Sequence, residues 1–340
     1  MFTIRFDMRA PAFGAAPAEL YAAVPEMCAW AEGRGCLAAV LCEHHGSEDG
    51  YLPAPLMLAP AIAARTQHLS LSLILILPFY DPIRLAEDMA VLDILSKGRA
   101  SYVLALGYRP EEYELFGLSL RDRGRIADEK LSLLRRLLAG ETVDHDGRQI
   151  AVTPRPLTPA GPGLMWGGGT LAAARRAGRY GLSLLGNANL PGMREAYEDA
   201  CHRHGHAPGA TFLPSRDHPS VCFVAEDVDQ AWSELGEHLL HDARTYAAWN
   251  PGDQTTAGFS HVDTVEELRE AGASHVIISV PEAISRVRAG QSLALSPLCG
   301  GLPPEIAWPY LKRVGEVVVP EARKSGSGEA LDPLLLDRKA

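Results

Sequence analysis

Short apolar runs alternate with longer amphipathic stretches along this chain, and each alternation reads as one strand followed by one helix. Residues 2–7 form the first strand candidate and 17–31 the first helix, with Pro17 suited to its first position and Pro25 expected to kink or break it. A second pair is expected at 36–42 and 55–65, and the near-continuous apolar run 69–77 fits a strand buried on both faces. The third helix is the best specified. Asp81 can cap it, Pro82 suits its first turn, Leu85, Met89 and Leu92 share a face, and Gly98 supplies a left-handed stop. Asp93 and Arg99, on either side of the turn, are expected to form a structural ion pair.

Strand four is expected at 100–106 and the next helix at 126–138, followed by a hairpin at 142–152 around Asp146-Gly147 and a linker at 154–162. Further pairs follow at 164–166 with 171–180, 182–185 with 193–204, and 221–225 with 228–240. The eighth strand is placed at 275–280 and the closing helix at 304–319, with long connections at 242–262 and 284–302. The pattern favours a closed (β/α)8 TIM barrel over 1–323, with insertions after strands 4, 7 and 8, and a flexible tail at 324–340. A doubly wound open sheet is the other α/β solution, but no GxGxxG follows the first strand.

Composition narrows the function. The chain has 340 residues, is 47% hydrophobic and 22% charged, and carries a formal charge of -10 with no basic run. Nucleic acid and anionic membrane are therefore not the expected partners. The first apolar stretch contains Arg5, Asp7 and Arg9, so no export signal is expected there, and the run ending at Pro78 is too short to span a bilayer. Six cysteines without a CxxC pair read as reduced thiols of a cytoplasmic protein.

The chemistry concentrates at strand ends. Glu43-His44-His45 closes the second strand, on the face where such barrels keep their active sites. An imidazole there can move a proton near neutral pH. A solitary His-His pair is more often structural, and a shared metal is disfavoured because neighbouring side chains on a strand end point apart. Arg109 follows the fourth strand and suits a phosphate or carboxylate, or an ion pair with Glu111 or Glu112. Trp166-Gly167-Gly168-Gly169-Thr170 leads into a helix whose amides and dipole can cradle a phosphate, the dipole contributing about 0.3–1 kcal/mol; a tight turn without a ligand is the alternative. His202, His204 and His206 look like a metal cluster but sit at a helix end that favours cations, and Cys299 reads as loop packing.

In their order and spacing these stretches resemble the bacterial luciferase-like flavin-dependent monooxygenases. The resemblance rests on Glu43-His44-His45, Leu85-Ala86-Glu87-Asp88 through Ser96-Lys97-Gly98-Arg99, Gly107-Tyr108-Arg109-Pro110-Glu111-Glu112, Trp166-Gly167-Gly168, and 297–305. It implies a barrel that binds reduced FMN or reduced F420 on its C-terminal face. In the monooxygenase branch a separate flavin reductase supplies the reduced flavin, and dioxygen gives a flavin C4a-hydroperoxide that oxygenates a small or medium apolar substrate. His44 would then serve beside the reactive ring, with Glu43 and His45 as catalytic neighbours. Arg109, Gly168, Gly169 and Thr170 would meet the phosphate, and a non-prolyl cis peptide at Leu73-Ile74 would lie under the ring. A homodimer is implied as well. Tyr108 stands where luciferase has a reactive cysteine, and glycines replace its acidic and hydroxyl-bearing phosphate loop, so light emission is not implied. An F420-dependent hydride-transfer enzyme and a non-catalytic flavin-binding barrel are the competing readings.

Overall fold

In the computed structural model, which describes residues 1–215 and 219–324, strands and helices alternate as the pattern requires. The first half contains β1 (Phe2–Phe6), α1 (Pro17–Ala31), β2 (Cys36–Leu41), α2 (Pro55–Arg65), β3 (Ser70–Ile76), α3 (Pro82–Ser96), β4 (Ala100–Ala105), α4 (Pro110–Leu115) and α5 (Arg123–Leu138). A hairpin, β5 (Val143–His145) with β6 (Arg148–Ile150), precedes β7 (Gly163–Gly167), α6 (Leu171–Arg179), β8 (Ser183–Leu185) and α7 (Met193–Arg203). The remainder is β9 (Thr211–Phe212), β10 (Val221–Ala225), α8 (Val228–Trp249), α9 (Val265–Ala271), β11 (His275–Ser279), α10 (Val280–Arg288), β12 (Leu293–Leu295), α11 (Pro304–Arg313) and α12 (Val319–Lys324). All but Lys324 of the expected tail lies outside the described residues.

Ten strands form one parallel sheet in the order β11-β10-β12-β1-β2-β3-β4-β7-β8-β9. Because every strand runs the same way, the ends of β1, β2, β3, β4 and β7 share one rim, and the candidate residues stand there. The α/β class expected from the sequence is observed. One stave differs: the strand beside β1 is β12, inside the expected connection 284–302, whereas β11 pairs with β10 only. At three residues, β12 is too short to produce a readable alternation.

Local chemistry explains most boundaries. Asp81 accepts from the Ile83 and Arg84 amides at 2.9 Å each and starts α3, while Lys97 (φ 57°) and Gly98 (φ 76°) stop it in left-handed conformations. Helix α1 continues through Pro25, because Leu20, Val24, Met27 and Cys28 bury one face and outweigh the missing amide. The expected Asp93–Arg99 pair does not form. Asp93 accepts from the Thr158 amide (2.7 Å) and hydroxyl (2.9 Å), while Arg99 donates to the carbonyls of Ala63, Thr66 and Leu69 and to the Thr66 hydroxyl. Partners brought in by the fold, Thr158 for Asp93 and the 63–69 segment for Arg99, thus satisfy each group in place of a bond across the turn.

The largest departure is α8. The pattern ends it near residue 240, but it runs 22 residues to Trp249. Asp242, Tyr246 and Trp249 recur at i, i+4 and i+7, so they share a face. That face meets Arg9 as well as the Tyr51 and Phe259 rings, and its buried acid hides it from a hydrophobic reading. No helix among the described residues is long and apolar enough to cross a membrane.

Candidate active site

The end of β2 is pinned before any chemistry is considered. The Glu43 carboxylate is buried and accepts from the Ile76 amide (2.6 Å), the Tyr80 hydroxyl (2.7 Å) and His45 Nε2 (2.8 Å). It therefore acts as a side-chain rung between β2 and the end of β3. The two imidazoles diverge, as strand-end geometry requires. His45 packs edge-on against Phe79 and Phe116, whose rings stack 4.5 Å apart.

His44 faces the other way and is 8% exposed. Its Nδ1 lies 2.8 Å from Glu112 Oε1, and its Nε2 lies 3.3 Å from the Tyr108 hydroxyl. Tyr51, Tyr108 and Trp249 wall the ring at centroid distances of 4.9, 5.3 and 4.9 Å. Glu112 is fully buried at the start of α4 and also accepts from the His45 amide at 2.8 Å. Burial works against its charge, but the bond and charge of His44, the His45 amide and Arg109 outweigh that and hold the carboxyl below its ordinary range. Burial likewise disfavours a charged imidazole, more than Glu112 favours it, so His44 titrates below its ordinary value. An ionised carboxylate only accepts, so Nδ1 carries the proton and Nε2 offers a lone pair toward Tyr108.

Arg109 lies on the same side. Its Nη1 donates to the His45 carbonyl at 2.8 Å and stands 3.5 Å from Glu112, and its guanidinium carbon sits 4.0 Å from the Trp249 ring centroid. Gly107 makes this turn possible. It has φ 73°, and a Cβ there would meet Ile76 Cγ2 at 2.8 Å. Gly107→Ala is expected to destabilise the fold by about 1–3 kcal/mol and to lower activity by displacing Tyr108 and Arg109, as read by denaturant melts beside kinetics.

Beneath His44 lies a buried charged cluster. Arg9 donates to Asp49 (2.6 Å) and to Asp242 (3.0 Å), and its guanidinium carbon lies within 4.9 Å of the Tyr51, Tyr246 and Trp249 ring centroids. His275 bonds the other Asp242 oxygen at 2.9 Å, and Tyr51 and Tyr246 join hydroxyls at 2.8 Å. Burial raises the Asp242 carboxyl, but His275, Arg9 and Arg5 outweigh it and hold it well below the usual range. Asp242, His275 and Cys299 are also the one trio among the described residues spaced to hold a metal. His202, His204 and His206 do not form one. Here the thiol is pushed far up by burial and the carboxylate already serves Arg9, so the trio reads as packing.

The glycine turn after β7 stands on the same rim beside β4. Gly168 (φ 147°) donates to the Leu185 carbonyl at 3.1 Å, and Thr170 Oγ1 caps α6 by accepting from the Ala173 amide at 3.1 Å. No hydrogen bond, ion pair or ring contact joins this turn to His44 or Arg109 among the described residues. At the expected cis position the peptide is trans: Thr153-Pro154 is the one cis bond among the described residues. Leu73 pairs in register with Leu41 and Tyr102, and Ile74 with Val103, so the ladder runs unbroken through both.

Glu112, Tyr51, Arg9, Asp242, Tyr246 and Trp249 join the site in the fold without being marked for it by the sequence pattern. Only Glu112 carried a usable signal, an acid one turn beyond Arg109 in a helix start.

The family described as luciferase-like monooxygenase matches residues 2–284. The chain belongs to that family. Limonene 1,2-monooxygenase from Rhodococcus erythropolis is 27% identical over 277 residues, covering 73% of this chain. The chain spans less than two thirds of the length of the curated relatives it matches first: 66% of the limonene enzyme, and 42% of the oxygenase component of flavin-dependent trigonelline monooxygenase from Acinetobacter baylyi. Among solved structures, the oxygenating constituent of 3,6-diketocamphane monooxygenase from Pseudomonas putida, in complex with FMN, has a TM-score of 0.68 at 16% identity, covering 94% of this chain and 97% of that one. The coenzyme F420 dependent tetrahydromethanopterin reductase from Methanopyrus kandleri has a TM-score of 0.62 at 15% identity, covering 94% and 98%. The luciferase-like fold thus carries FMN in one of these neighbours and F420 dependence in another.

Proposed function

We propose that this luciferase-like chain is a flavin-dependent monooxygenase that takes reduced FMN from a separate reductase and uses dioxygen to oxygenate a small or medium apolar organic substrate. The observation that carries the reading is the neutral His44 imidazole, held by Glu112 and enclosed by aromatic rings. Its fit to a flavin is supported by polar atoms that are buried yet lack a hydrogen bond beside it: Arg9 Nη2, Arg109 Nε and Glu112 Oε2. These donors and this acceptor match the polar edge of a planar heterocycle, while Tyr51 and Tyr108 match its faces. Bound reduced flavin would supply the two electrons that activate dioxygen.

The chain's own residues have separable roles in this reading. His44 Nε2 takes or returns a proton beside the ring, Glu112 fixes its tautomer, and Tyr108 lends a hydroxyl. Glu43 and His45 act as struts, since all their polar contacts hold β2, β3 and α4 together. Leu73 and Ile74 pack beneath as ordinary strand residues. A phosphate would fall to Gly169, Thr170 and the start of α6, because the Gly168 amide is already engaged, with Arg109 contributing only if it leaves the His45 carbonyl. The aromatic walls exclude water from the reacting centre.

The deciding experiment is anaerobic titration with reduced FMN and reduced F420, followed by oxygen uptake with a flavin reductase and candidate apolar substrates. Tight binding of F420 alone, with no oxygen uptake, would replace this reading by hydride transfer, which the F420-dependent neighbour also supports. A homodimer belongs to this reading and is checked by light scattering.

Glu112→Gln provides a pH test. Glu112 favours the imidazolium, so removing its charge lowers the His44 pKa further below its ordinary value of about 6.5. The acid limb of kcat/KM is then expected to move to lower pH, with turnover reduced at least about tenfold as the tautomer is released. An acid limb that stays put or moves up would separate Glu112 from His44.

A further inference from the structure

His44 is nearly closed in, with 8% of its surface exposed. Glu112 holds Nδ1, Tyr108 faces Nε2, and Tyr51 and Trp249 cover the ring. A flat ring can approach Nε2 only if one wall moves, and the walls differ in how they are fixed. Tyr51 is almost fully buried and tied through its hydroxyl to Tyr246. Tyr108 bonds His44 itself and follows the Gly107 turn, whose backbone only glycine adopts freely. Trp249 is the last residue of α8, is only half-buried, and no hydrogen bond fixes its indole among the described residues.

What the indole covers is unusual. The guanidinium carbons of Arg109 and Arg9 lie 4.0 and 4.5 Å from its ring centroid, and each arginine has a buried nitrogen without a hydrogen bond, Nε in Arg109 and Nη2 in Arg9. Glu111 Oε2 stands 4.0 Å from Arg109 Nε, too far for a hydrogen bond. Glu112 Oε2 is likewise buried without a donor. The indole therefore satisfies the faces of the two cations and leaves their edges unmet. A planar ligand with acceptor oxygens and N–H groups along its edge would satisfy both.

We propose that Trp249 is a displaceable wall of the site, its indole occupying the place against Arg109 and His44 that a flat aromatic ligand with a polar edge takes on binding. This inference rests on the reading of the site as a flavin site. The ligand enters by turning the indole out with the last turn of α8, and Arg9 and Arg109 exchange ring contacts with the protein for ring contacts and hydrogen bonds with the ligand. Binding is reduced by the fraction of molecules in which Trp249 is still in place.

The test compares wild type with Trp249→Ala, titrating oxidised FMN and following flavin fluorescence. Removing the wall is expected to tighten binding about 5- to 20-fold and to make the observed association rate linear in FMN, where wild type saturates. Equal or weaker binding by Trp249→Ala would overturn the proposal, because Trp249 would then be a fixed wall that the ligand uses. A second measurement needs neither flavin nor a destabilising variant. Ligand-free wild type labelled with 5-fluorotryptophan is examined by 19F NMR, the Trp249 line being assigned by its loss in Trp249→Phe. Microsecond-to-millisecond exchange broadening of that line is expected. A narrow line without exchange overturns the displaceable wall. If neither protein binds FMN, oxidised or anaerobically reduced, the FMN reading falls and this second measurement alone decides the role of Trp249.

Discussion

Replacing His44 with alanine is expected to leave flavin binding in place while turnover falls roughly 10²–10⁴-fold, the usual share of a positioned acid–base group. The imidazole is the group in the enclosure suited to take up and return a proton near neutral pH, since burial keeps it uncharged and Glu112 occupies Nδ1. Binding survives because Arg9, Arg109 and the aromatic walls remain. Equilibrium titration with reduced flavin alongside steady-state turnover separates the two effects. Unchanged turnover would remove His44 from the mechanism, whereas lost binding with intact turnover per bound flavin would make it a binding residue only.

The second large effect is structural. Asp242→Ala is expected to lower the free energy of unfolding by about 3–5 kcal/mol, the cost of breaking a buried ion pair from one side. Arg9 has no exposure and would keep Asp49 as its one carboxylate partner, while His275 Nε2 would lose Asp242 at zero exposure and keep the Ser274 hydroxyl at Nδ1. Urea melts read the loss directly. Asp242→Asn keeps the shape and part of the hydrogen bonding, so its loss should be smaller. If Asp242→Ala melts at the wild-type midpoint, the cluster does not hold α8, and the placement of Tyr246 and Trp249 over His44 needs another cause.

The legible part of the site was the part written in local signals. Glu43-His44-His45 stands out because an apolar strand ends in three polar groups, and Arg109 stands out because it follows a strand and a glycine that takes a positive φ. The turn at 168–170 was legible for the same reason. The charged face of α8 was not, because Asp242 and its neighbours break the apolar periodicity while being buried. Strand β12 was missed through brevity, and the Asp93–Arg99 pair was misread because proximity in sequence says little about which acceptors surround a guanidinium.

The amino-acid sequence alone determined the alternation of strands and helices, their caps, and the residues left at strand ends, since each follows from periodicity and backbone preference within a few residues. Only the tertiary structure decided which of those residues act on one another. His44 meets Glu112 across 68 positions and Arg9 meets Asp242 across 233. Such pairs form because parallel strands deliver their ends to one rim and α8 closes over it. Burial there makes each unmet charge costly, so the partner is fixed by the packing and has no counterpart in the local pattern.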